Sequence, residues 1–291
     1  MMKKAVTHNG SFHADDVFAS VVLQKVFKGI KIRRTRDEKE IARADVVFDI
    51  GRVYDPATGR FDHHQPDGLK RKNGVPYSAF GLIWKEFGEK YCDNAKVAKR
   101  IDEKLVQQID ANDNGVTTTK SLVPGLVPMT WDDIISTFEP NFFDNTDSVN
   151  KQFNKAIEFA RTFLERMVEK EKDNLEKIKY VAEMIKKSPD ERYVILDEAA
   201  SYDEIAFAFP KLLFVVYPKK TDDIWSVRAL KKSEDSYQTK KPFPAEWAGK
   251  VDDELAKVTG VEDALFAHNG RFIVTAKTRE GALALLDKAL S

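Results

Sequence analysis

The chain has 291 residues, and at about 150 residues per domain this length predicts two domains. Its 47 Lys and Arg residues balance 47 Asp and Glu residues, so the formal net charge is zero. Bulk basicity therefore does not hold this protein to nucleic acid, although the balance says nothing about a local basic groove. Hydrophobic residues make up 42% of the chain, which is enough for a sizeable core.

Cysteine content and hydropathy narrow the class of protein further. Cys92 is the only cysteine, which excludes an intrachain disulfide framework and a cysteine-based zinc site. No apolar run approaches the ~18–20 residues of a membrane span. The first ten residues have no apolar stretch typical of a secretory signal. We therefore predict a cytoplasmic protein that does not enter the membrane.

Strands and helices are predicted to alternate through the first sixty residues. Apolar runs at 4–8, 31–35 and 45–50 predict strands, helical spacing predicts helices at 14–27 and 38–44, and Pro and Gly at a turn predict a hairpin at 54–61. This alternation favours a mainly parallel sheet covered by helices. Two further helices are predicted at 78–91 and 95–109.

The second half of the chain has a different pattern. No Gly or Pro occurs between Pro140 and Pro189, and an apolar stripe in this segment predicts one long helix or two in tandem. Later patterns predict strands at 193–196, 212–217, 225–230 and 272–275, and helices near 251–258 and 279–290. The expected organisation is an α/β domain (1–145), a helical connector (146–188) and a smaller α+β domain (189–291).

Four of the five histidines form two clusters in the first quarter of the chain, each beside aspartates. His8 and His13 make the first cluster, and His63 and His64 make the second. A single isolated histidine is most often a core or surface residue, but two such clusters favour a metal or acid–base site. The fifth, His268, begins a His-Asn-Gly segment that repeats residues 8–10.

Several of these side chains are expected at one edge of the sheet. The carboxyl ends of parallel strands share an edge, so His8 and Asp49, which end predicted strands, should lie together. Asp62-His63-His64 follows the hairpin, and Asp110 ends a helix. Imidazole and carboxylate ligands without thiolate suit Mn²⁺, Mg²⁺, Fe²⁺ or Zn²⁺. Six or so ligands exceed what one tetrahedral ion needs, which favours two ions with Asp49 between them.

The order and spacing of these motifs resemble the melanocyte-proliferating-gene-one family over essentially the whole chain. The motifs are His8-Asn-Gly-Ser-Phe-His-Ala-Asp-Asp16, Asp49-Ile-Gly51, Phe61-Asp-His-His-Gln65, Asp110 and His268-Asn-Gly-Arg-Phe272. That family is similar to a branch of the DHH phosphoesterases, which include RecJ-type exonucleases, oligoribonucleases and family II pyrophosphatases. Bacterial members are often called metal-dependent protein hydrolases, but DHH chemistry is phosphoryl chemistry and no zinc-protease HExxH motif is present.

The resemblance implies a role for each matching position. The implied metal ligands are His8, His13, Asp15, Asp49 as the bridging acid, His63, and Asp110 as the last acid. His64 would face the substrate, and His268 and Arg271 would act on it from the second domain. The implied cofactors are two divalent ions, with Mn²⁺ the first choice and Mg²⁺, Fe²⁺ or Zn²⁺ as alternatives. His13 stands where many DHH proteins have aspartate, and this leaves the choice of metal open.

Other charged residues near the motifs are given simpler roles. We assign Asp16 to the helix N-terminus, where an acid complements the helix dipole, and Asp113 to a turn. Residues 70–72 (Lys-Arg-Lys) are assigned to a solvated loop that could also attract a polyanion. Arg52 stands where the resemblance predicts a second glycine, and it could meet phosphate.

We therefore predict a DHH-type α/β metallohydrolase. Domain 1–145 would bind the metals, and domain 189–291 would bind substrate and close over them. The expected reaction is hydrolysis of RNA or short oligonucleotides by a metal-activated water, of the 3′–5′ exonuclease type. Two alternatives are a small-molecule phosphoesterase or pyrophosphatase using the same metals, and a metal-stabilised binding protein without activity. A homodimer is compatible with the sequence.

Overall fold

The computed structural model describes residues 3–141, 143, 146–200, 202–219, 221–233 and 236–291. The chain divides into two compact units, of which the first ends at Lys172 and the second begins at Asp173. This boundary falls within a helix, α7 (Thr146–Lys187), that coincides with the predicted connector.

The first unit is built around a five-stranded sheet. Its strands are β1 (Lys4–Thr7), β2 (Lys31–Arg34), β3 (Val46–Phe48), β4 (Tyr54–Asp55) and β5 (Arg60–Phe61), in the order β2-β1-β3-β5-β4. The pairs β1–β2, β1–β3 and β3–β5 are parallel, and only β4 is antiparallel to its neighbour. The prediction of a mainly parallel sheet is confirmed, and β1, β3 and β5 end at the same edge.

Helices cover the first sheet and form most of its core. They are α1 (Ala14–Val26), α2 (Glu38–Arg43), α3 (Ala79–Cys92), α4 (Ala95–Ile101), α5 (Gln107–Asp113) and α6 (Trp131–Ser136). Of these, α6 was not predicted from the sequence. A π-helical turn, Asp102–Val106, joins α4 to α5. In the core, Phe18 of α1 lies with its ring centre 5.5 Å from that of Phe80 of α3, and both are fully buried.

Helix α7 is amphipathic and belongs to both units. In the first unit, Phe153 packs against Phe12 with ring centres 5.5 Å apart, and Phe163 packs against Trp131 at 4.7 Å. Near its end, Val181 joins a core cluster of the second unit. The prediction of a long helix here is confirmed. None of the helices in the described part of the chain has the length and apolar composition needed to cross a membrane.

The second unit contains a mixed five-stranded sheet. Its strands are β6 (Tyr193–Ile195), β7 (Phe214–Lys219), β8 (Ile224–Ala229), β9 (Ala264–Ala267) and β10 (Ile273–Ala276), in the order β6-β7-β8-β10-β9. The β6–β7 pair is parallel, and the remaining pairs are antiparallel. Its helices are α8 (Asp203–Ala206), α9 (Asp252–Thr259) and α10 (Arg279–Leu290). This confirms the predicted α+β character, while β9 and α8 were not predicted.

Candidate metal centre

Three adjacent parallel strands of the first unit end beside ionisable side chains. His8 directly follows β1, Asp49 directly follows β3, and His63 lies two residues after β5. His8 Nε2 is 3.0 Å from Asp49 Oδ2, and His63 Nε2 is 3.3 Å from Asp49 Oδ1. Asp49 therefore presents one oxygen to each histidine. The three residues meet at the expected edge of the sheet, while bridging of two ions by Asp49 stays a prediction.

The backbone at Asp49 is unusual for a residue that is not glycine. Asp49 has a φ of 55°, in the left-handed region, and its N–H donates to the Phe61 carbonyl at 3.2 Å. This conformation costs roughly 1–2 kcal/mol for most residues, although aspartate tolerates it better than most. Two residues later Gly51 has a φ of 100°, which suits glycine. The chain turns sharply here, and the turn directs the Asp49 side chain into the sheet edge.

The N-terminus of α1 supplies two fully buried acids, Asp15 and Asp16. Asp16 Oδ1 accepts a hydrogen bond from the His13 N–H at 3.0 Å, so this carboxylate caps the start of the helix. Its other oxygen, Oδ2, lies 3.5 Å from His8 Nε2. Asp16 therefore contributes to the helix end and to the candidate site together.

Three groups of potential ligand atoms can be distinguished, each with its atoms within 4.8 Å of one another. The first is His8, Asp16 and Asp49, the second is His13, Asp15 and Asp113, and the third is Asp49, Asp62, His63 and His64. His63 links the first two groups, because its Nε2 is 3.3 Å from Asp49 Oδ1 and 3.2 Å from Asp113 Oδ2. Five of the six predicted ligands thus come together here.

The sixth predicted ligand, Asp110, is elsewhere, and Asp113 takes its place in the cluster. The Asp110 carboxylate accepts hydrogen bonds from Arg71 Nε at 2.7 Å and from Ser78 Oγ at 2.7 Å. The observed geometry thus differs from the assignment of Asp110 as the last acid and of Asp113 as a turn residue. The two acids are three residues apart, or about 60° around a helix. A π-helical turn shifts the register just before them, so spacing alone cannot distinguish them.

Arg71 is also not the solvated residue that the sequence suggested. Its side chain is only 8% exposed, and its Nη1 lies 2.8 Å from Asp102 Oδ2. Its guanidinium packs over the Tyr77 ring at 4.3 Å. A Cβ at Gly81 would collide with the Asp110 carboxylate, so α3 approaches closely here. Asp110 therefore ties the chain around Arg71 to the helices, which is a structural role.

Several buried carboxylate oxygens of the cluster lack any hydrogen-bond partner. They are both oxygens of Asp15, Oδ2 of Asp16 and Oδ2 of Asp113. Burial and the charges of Asp113, Asp49 and Asp16 raise the pKa of Asp15 well above its usual value. Burial followed by the Asp49 charge raises the pKa of Asp16 to about 8. Burial raises the pKa of Asp113 to about 6, although the nearby His63 opposes this.

These unpartnered oxygens test whether divalent cations fit the site. A buried polar group without a partner costs free energy, and neighbouring carboxylates add repulsion. A divalent cation would relieve both effects. His8 also fits, because its Nδ1 donates to the Asn9 carbonyl at 3.1 Å and leaves the Nε2 lone pair of the neutral ring facing the acids. The imidazole and carboxylate donors suit the predicted metals.

The central acid already behaves as the charge partner of the histidines. Burial would raise the pKa of Asp49, but its contacts with His63 and His8 outweigh burial and lower it to about 2. Burial would lower the pKa of His8, but Asp49 and Asp16 outweigh it and raise it. Protons and cations would therefore compete for the same atoms of this cluster.

His64 lies closer to Asp62 than to Asp49, whose Oδ1 is 3.8 Å from His64 Nδ1. Its Nδ1 donates to Asp62 Oδ1 at 2.7 Å, so its Nε2 is left to face outward, and its side chain is 56% exposed. Asp62 is buried and also accepts hydrogen bonds from the His64 N–H at 3.1 Å and the Arg52 N–H at 2.5 Å. Asp62 thus orients His64, while the expected role of His64 toward substrate stays a prediction.

A cavity of about 360 Å³ opens beside these groups. Its lining includes both histidine pairs, Asp49, Asp113 and two arginines, Arg36 and Arg52. Arg52 has a φ of 56° and, like Arg36, an exposed side chain. Arg52 was noted from the sequence, but Arg36 was not. The basic run at residues 33–36 could have indicated Arg36. The cavity therefore combines candidate metal ligands with cations suited to phosphate.

The second unit places His268 and Arg271 on the turn between β9 and β10. The Gly270 N–H donates to His268 Nδ1 at 2.9 Å, so the neutral ring carries its proton on Nε2. Arg271 has a φ of 55°, which is uncommon outside glycine. The rings of His268 and Phe272 lie with centres 4.3 Å apart. The action of these residues on substrate stays a prediction.

The fold and the cluster define an α/β protein whose buried aspartates and histidines could hold divalent ions. The chain belongs to the MYG1 exonuclease family, whose model is described as an uncharacterised protein family (UPF0160) and matches residues 4–290. The predicted family is thereby confirmed, while its relation to the DHH phosphoesterases stays a prediction.

Relatives match along nearly the whole chain. The MYG1 protein of Dictyostelium discoideum is 31% identical, with 98% of this chain and 95% of that protein covered. The MYG1 exonuclease of Homo sapiens is 28% identical, covering 98% and 85%, and the MYG1 protein of Chlamydia muridarum is 29% identical, covering 98% and 95%. A solved pGpG-specific phosphodiesterase, PggH from Vibrio cholerae, aligns with a TM-score of 0.34 and 14% identity over 99% of this chain and 97% of that one. A likeness that weak establishes neither a shared fold nor a shared function.

Proposed function

We propose that this chain is a divalent-metal-dependent phosphodiesterase of exonuclease type that hydrolyses RNA or short oligonucleotides. The observation that carries the proposal is the cluster of buried, unpartnered carboxylate oxygens around Asp49 and its histidines. The name of the human relative, MYG1 exonuclease, supports nucleic acid as the substrate class.

Two sets of side chains would hold the ions. One is His8, Asp16 and Asp49, and the other is His13, Asp15 and Asp113, with His63 between them. Bound ions would supply positive charge for the phosphoryl oxygens and lower the pKa of an attacking water. Three imidazoles among carboxylates favour Mn²⁺ over Mg²⁺, and Fe²⁺ or Zn²⁺ are alternatives.

The remaining residues of the cavity would handle the substrate. With Nδ1–H held by Asp62, the doubly protonated ring of His64 would give the proton on Nε2 to the leaving oxygen. Arg36 and Arg52 would bind non-bridging phosphate oxygens, since a guanidinium matches two of them at once. Because the Arg52 N–H also bonds to Asp62, one buried carboxylate positions both Arg52 and His64.

We extend the proposal to the hairpin turn of the second unit. Because His268 Nδ1 accepts a hydrogen bond, His268 would act through Nε2–H as a donor to a phosphate oxygen. Arg271 would bind phosphate bidentately, which a lysine cannot reproduce. These two residues are proposed to grip the substrate, while the first unit holds the ions.

The test is a Mn²⁺-dependent activity screen over short RNA, short DNA, dinucleotides and pyrophosphate. We expect nucleotide release from RNA and none from the Asp49→Asn variant. Lys96→Ala, an exposed substitution outside the cavity, is the matched control and should retain activity. Turnover of pyrophosphate alone would indicate a small-molecule phosphoesterase, and no turnover by metal-loaded protein would indicate a binding protein.

A further inference from the structure

A second concave surface lies on the first unit, outside the residues assigned above. It is a groove of about 560 Å³ formed by β1, β2 and α2, larger than the cavity at the candidate metal centre. Five cationic residues line it, namely Lys4, Lys31, Arg33, Lys39 and Arg43. All five side chains are exposed, so a ligand can reach them from solvent.

The acids that line the groove do not neutralise it. They are Asp37 and Glu40, against five cations, so positive charge is in excess. Asp37 is engaged as the N-cap of α2, where its Oδ1 accepts from the Lys39 N–H at 2.8 Å. Glu40 Oε2 lies 3.2 Å from Arg33 Nε. In a chain with zero net charge, this groove is a local basic site suited to a polyanion.

The floor of the groove is apolar. Val6 and Ala44 form it, and they are 3% and 6% exposed. The covering helix α2 is only six residues long and buries none of its own residues. A groove with cations at its sides and apolar surface below suits a chain that alternates phosphates with bases and sugars. Single-stranded nucleic acid has this composition.

The groove and the metal cavity are linked through one segment of chain. Lys31 and Arg33 on β2 line the groove, and Arg36, three residues after Arg33, lines the cavity. In extended chain this separation is about 10 Å. Between them Arg34 is buried and its Nη2 donates to the Gly10 carbonyl at 2.6 Å, which fixes this segment against the loop that bears the histidines.

We propose that this groove binds the sugar–phosphate backbone of a single-stranded polynucleotide whose end occupies the metal cavity. The protein would then act on chains longer than a dinucleotide. This inference rests on the function proposed for the cavity, but the groove itself contains none of the candidate ligands. Charged residues on an edge strand such as β2 also discourage pairing with other chains. That effect would account for Lys31 and Arg33 but not for the cations of β1 and α2.

The direct test is binding of a fluorescent, hydrolysis-resistant 12-nucleotide 2′-O-methyl phosphorothioate RNA to the Mn²⁺-loaded protein. The groove variant combines Lys31→Ala, Lys39→Ala and Arg43→Ala. A matched control removes three other exposed cations of the same unit, through Lys28→Ala, Lys96→Ala and Lys155→Ala. Fluorescence anisotropy is measured over a series of salt concentrations, and circular dichroism checks that each variant is folded.

We expect the groove variant to bind the 12-mer about tenfold more weakly at low salt. The slope of the logarithm of the binding constant against the logarithm of the salt concentration should become shallower by about 2, since each lost phosphate contact changes it by about 0.7. The control should stay within about twofold of the wild type, since it loses the same net charge. Equal affinity of the groove variant and the control would overturn the inference, because the groove cations would then contribute no more than any others.

A second measurement separates this inference from the proposed function. With a cleavable 12-mer RNA, the groove variant should show a KM raised about tenfold, while kcat/KM for a dinucleotide stays within about twofold of the wild type. An equal loss of kcat/KM on both substrates would place the effect in the cavity and would overturn the proposal that the groove binds the polynucleotide. If no RNA is hydrolysed by any form, the proposed function fails, yet selective loss of 12-mer binding would still support the groove as a polynucleotide site.

Discussion

Two sets of buried carboxylates in the first unit differ in what surrounds them. Asp110 is fully buried and Glu171 is 5% exposed, and both accept hydrogen bonds from cationic side chains. Asp15, Asp16 and Asp113 are also buried, but each has at least one oxygen without a hydrogen-bond partner. The first set is satisfied by the protein alone, whereas the second set is not.

The neighbours of each acid explain the difference. Burial raises the pKa of Asp110, but the charge of Arg71 and the hydrogen bonds from Ser78 work against that rise. Burial also raises the pKa of Asp15, and there the charges of Asp113 and Asp49 raise it further. A buried acid beside a cation holds the fold together, while buried acids that face one another favour a cation from solution. The predictions below test this division.

The largest effect is expected at Asp49, which belongs to the first group of potential ligands and contacts His63, the neighbour of Asp113. Asp49→Asn keeps the shape but removes the charge that two cations would share. We expect the content of Mn²⁺ to fall from about two ions to less than one, and hydrolysis to fall at least about 10³-fold. Metal analysis after gel filtration measures the first, and the RNA assay measures the second. Two ions retained in full would rule out the bridging role.

The two histidines of the second pair should separate metal binding from catalysis. His63 contacts the unsatisfied acids, whereas His64 contacts Asp62, a carboxylate that already accepts three hydrogen bonds. We expect His63→Ala to lose metal. His64→Ala should retain the metal and lose about 10²–10³-fold in rate, the scale of a general acid. Comparable metal loss in both variants would show that His64 is itself a ligand.

Asp110 and Asp113 provide the sharpest matched pair, since they lie three residues apart on one helix. Asp113→Asn should lose about one ion and leave the metal-free protein as stable as the wild type or more so, because it removes repulsion between acids. Asp110→Asn should keep both ions but lower the free energy of unfolding by about 3 kcal/mol, because it removes one of the two carboxylates that pair with the buried Arg71. Metal analysis and urea denaturation measure both quantities. The opposite pattern would restore the original assignment of Asp110 as a ligand.

Much of this site followed from the sequence because local patterns determine it. Apolar runs gave the parallel strands, and parallel strands share an edge, so His8 and Asp49 were expected together. The structure brings Asp113 and not Asp110 into the cluster, and which of the two binds metal stays a prediction. The spacing could not separate them, because a π-helical turn shifts the helical register without any marker in the sequence. The role of Arg71 was missed because its partner Asp110 is 39 residues away. Long-range pairing of this kind is not visible in periodicity.

Elements without a clear pattern were also missed. Strand β9 (Ala264–Ala267) contains no β-branched residue, so it lacks the composition typical of strands. Helix α6 (Trp131–Ser136) is six residues long, too short to show a helical period. The basic groove lies on β1, β2 and α2, which are separate in sequence, so its charges cluster only after folding. These charges come together because of the order of the strands in the sheet, which the spacing of residues in the sequence does not show.

The smallest effect is expected at Glu171, a satisfied acid far in sequence from the candidate ligands. Its oxygens accept hydrogen bonds from Arg100 Nε at 2.6 Å and from Lys104 Nζ at 2.5 Å. Burial would raise the pKa of Glu171, but these hydrogen bonds outweigh it and lower the pKa. A carboxyl group whose pKa is lower in the folded state stabilises the protein at pH values above its pKa in the unfolded state, about 4.3. That stability is lost as the pH falls through the pKa of the folded state.

We therefore expect Glu171→Gln to lower the free energy of unfolding by about 1–2 kcal/mol at pH 7, with metal content unchanged. The difference from wild type should shrink as the pH is lowered below about 4, where the wild-type carboxylate also takes up a proton. Urea denaturation at pH 7 and at acid pH measures both. Glu169→Gln, at an exposed ion pair with Arg166, is the control and should change stability by less than about 0.5 kcal/mol. A difference that stays constant with pH would mean that Glu171 stabilises the protein through packing, and not through its charge.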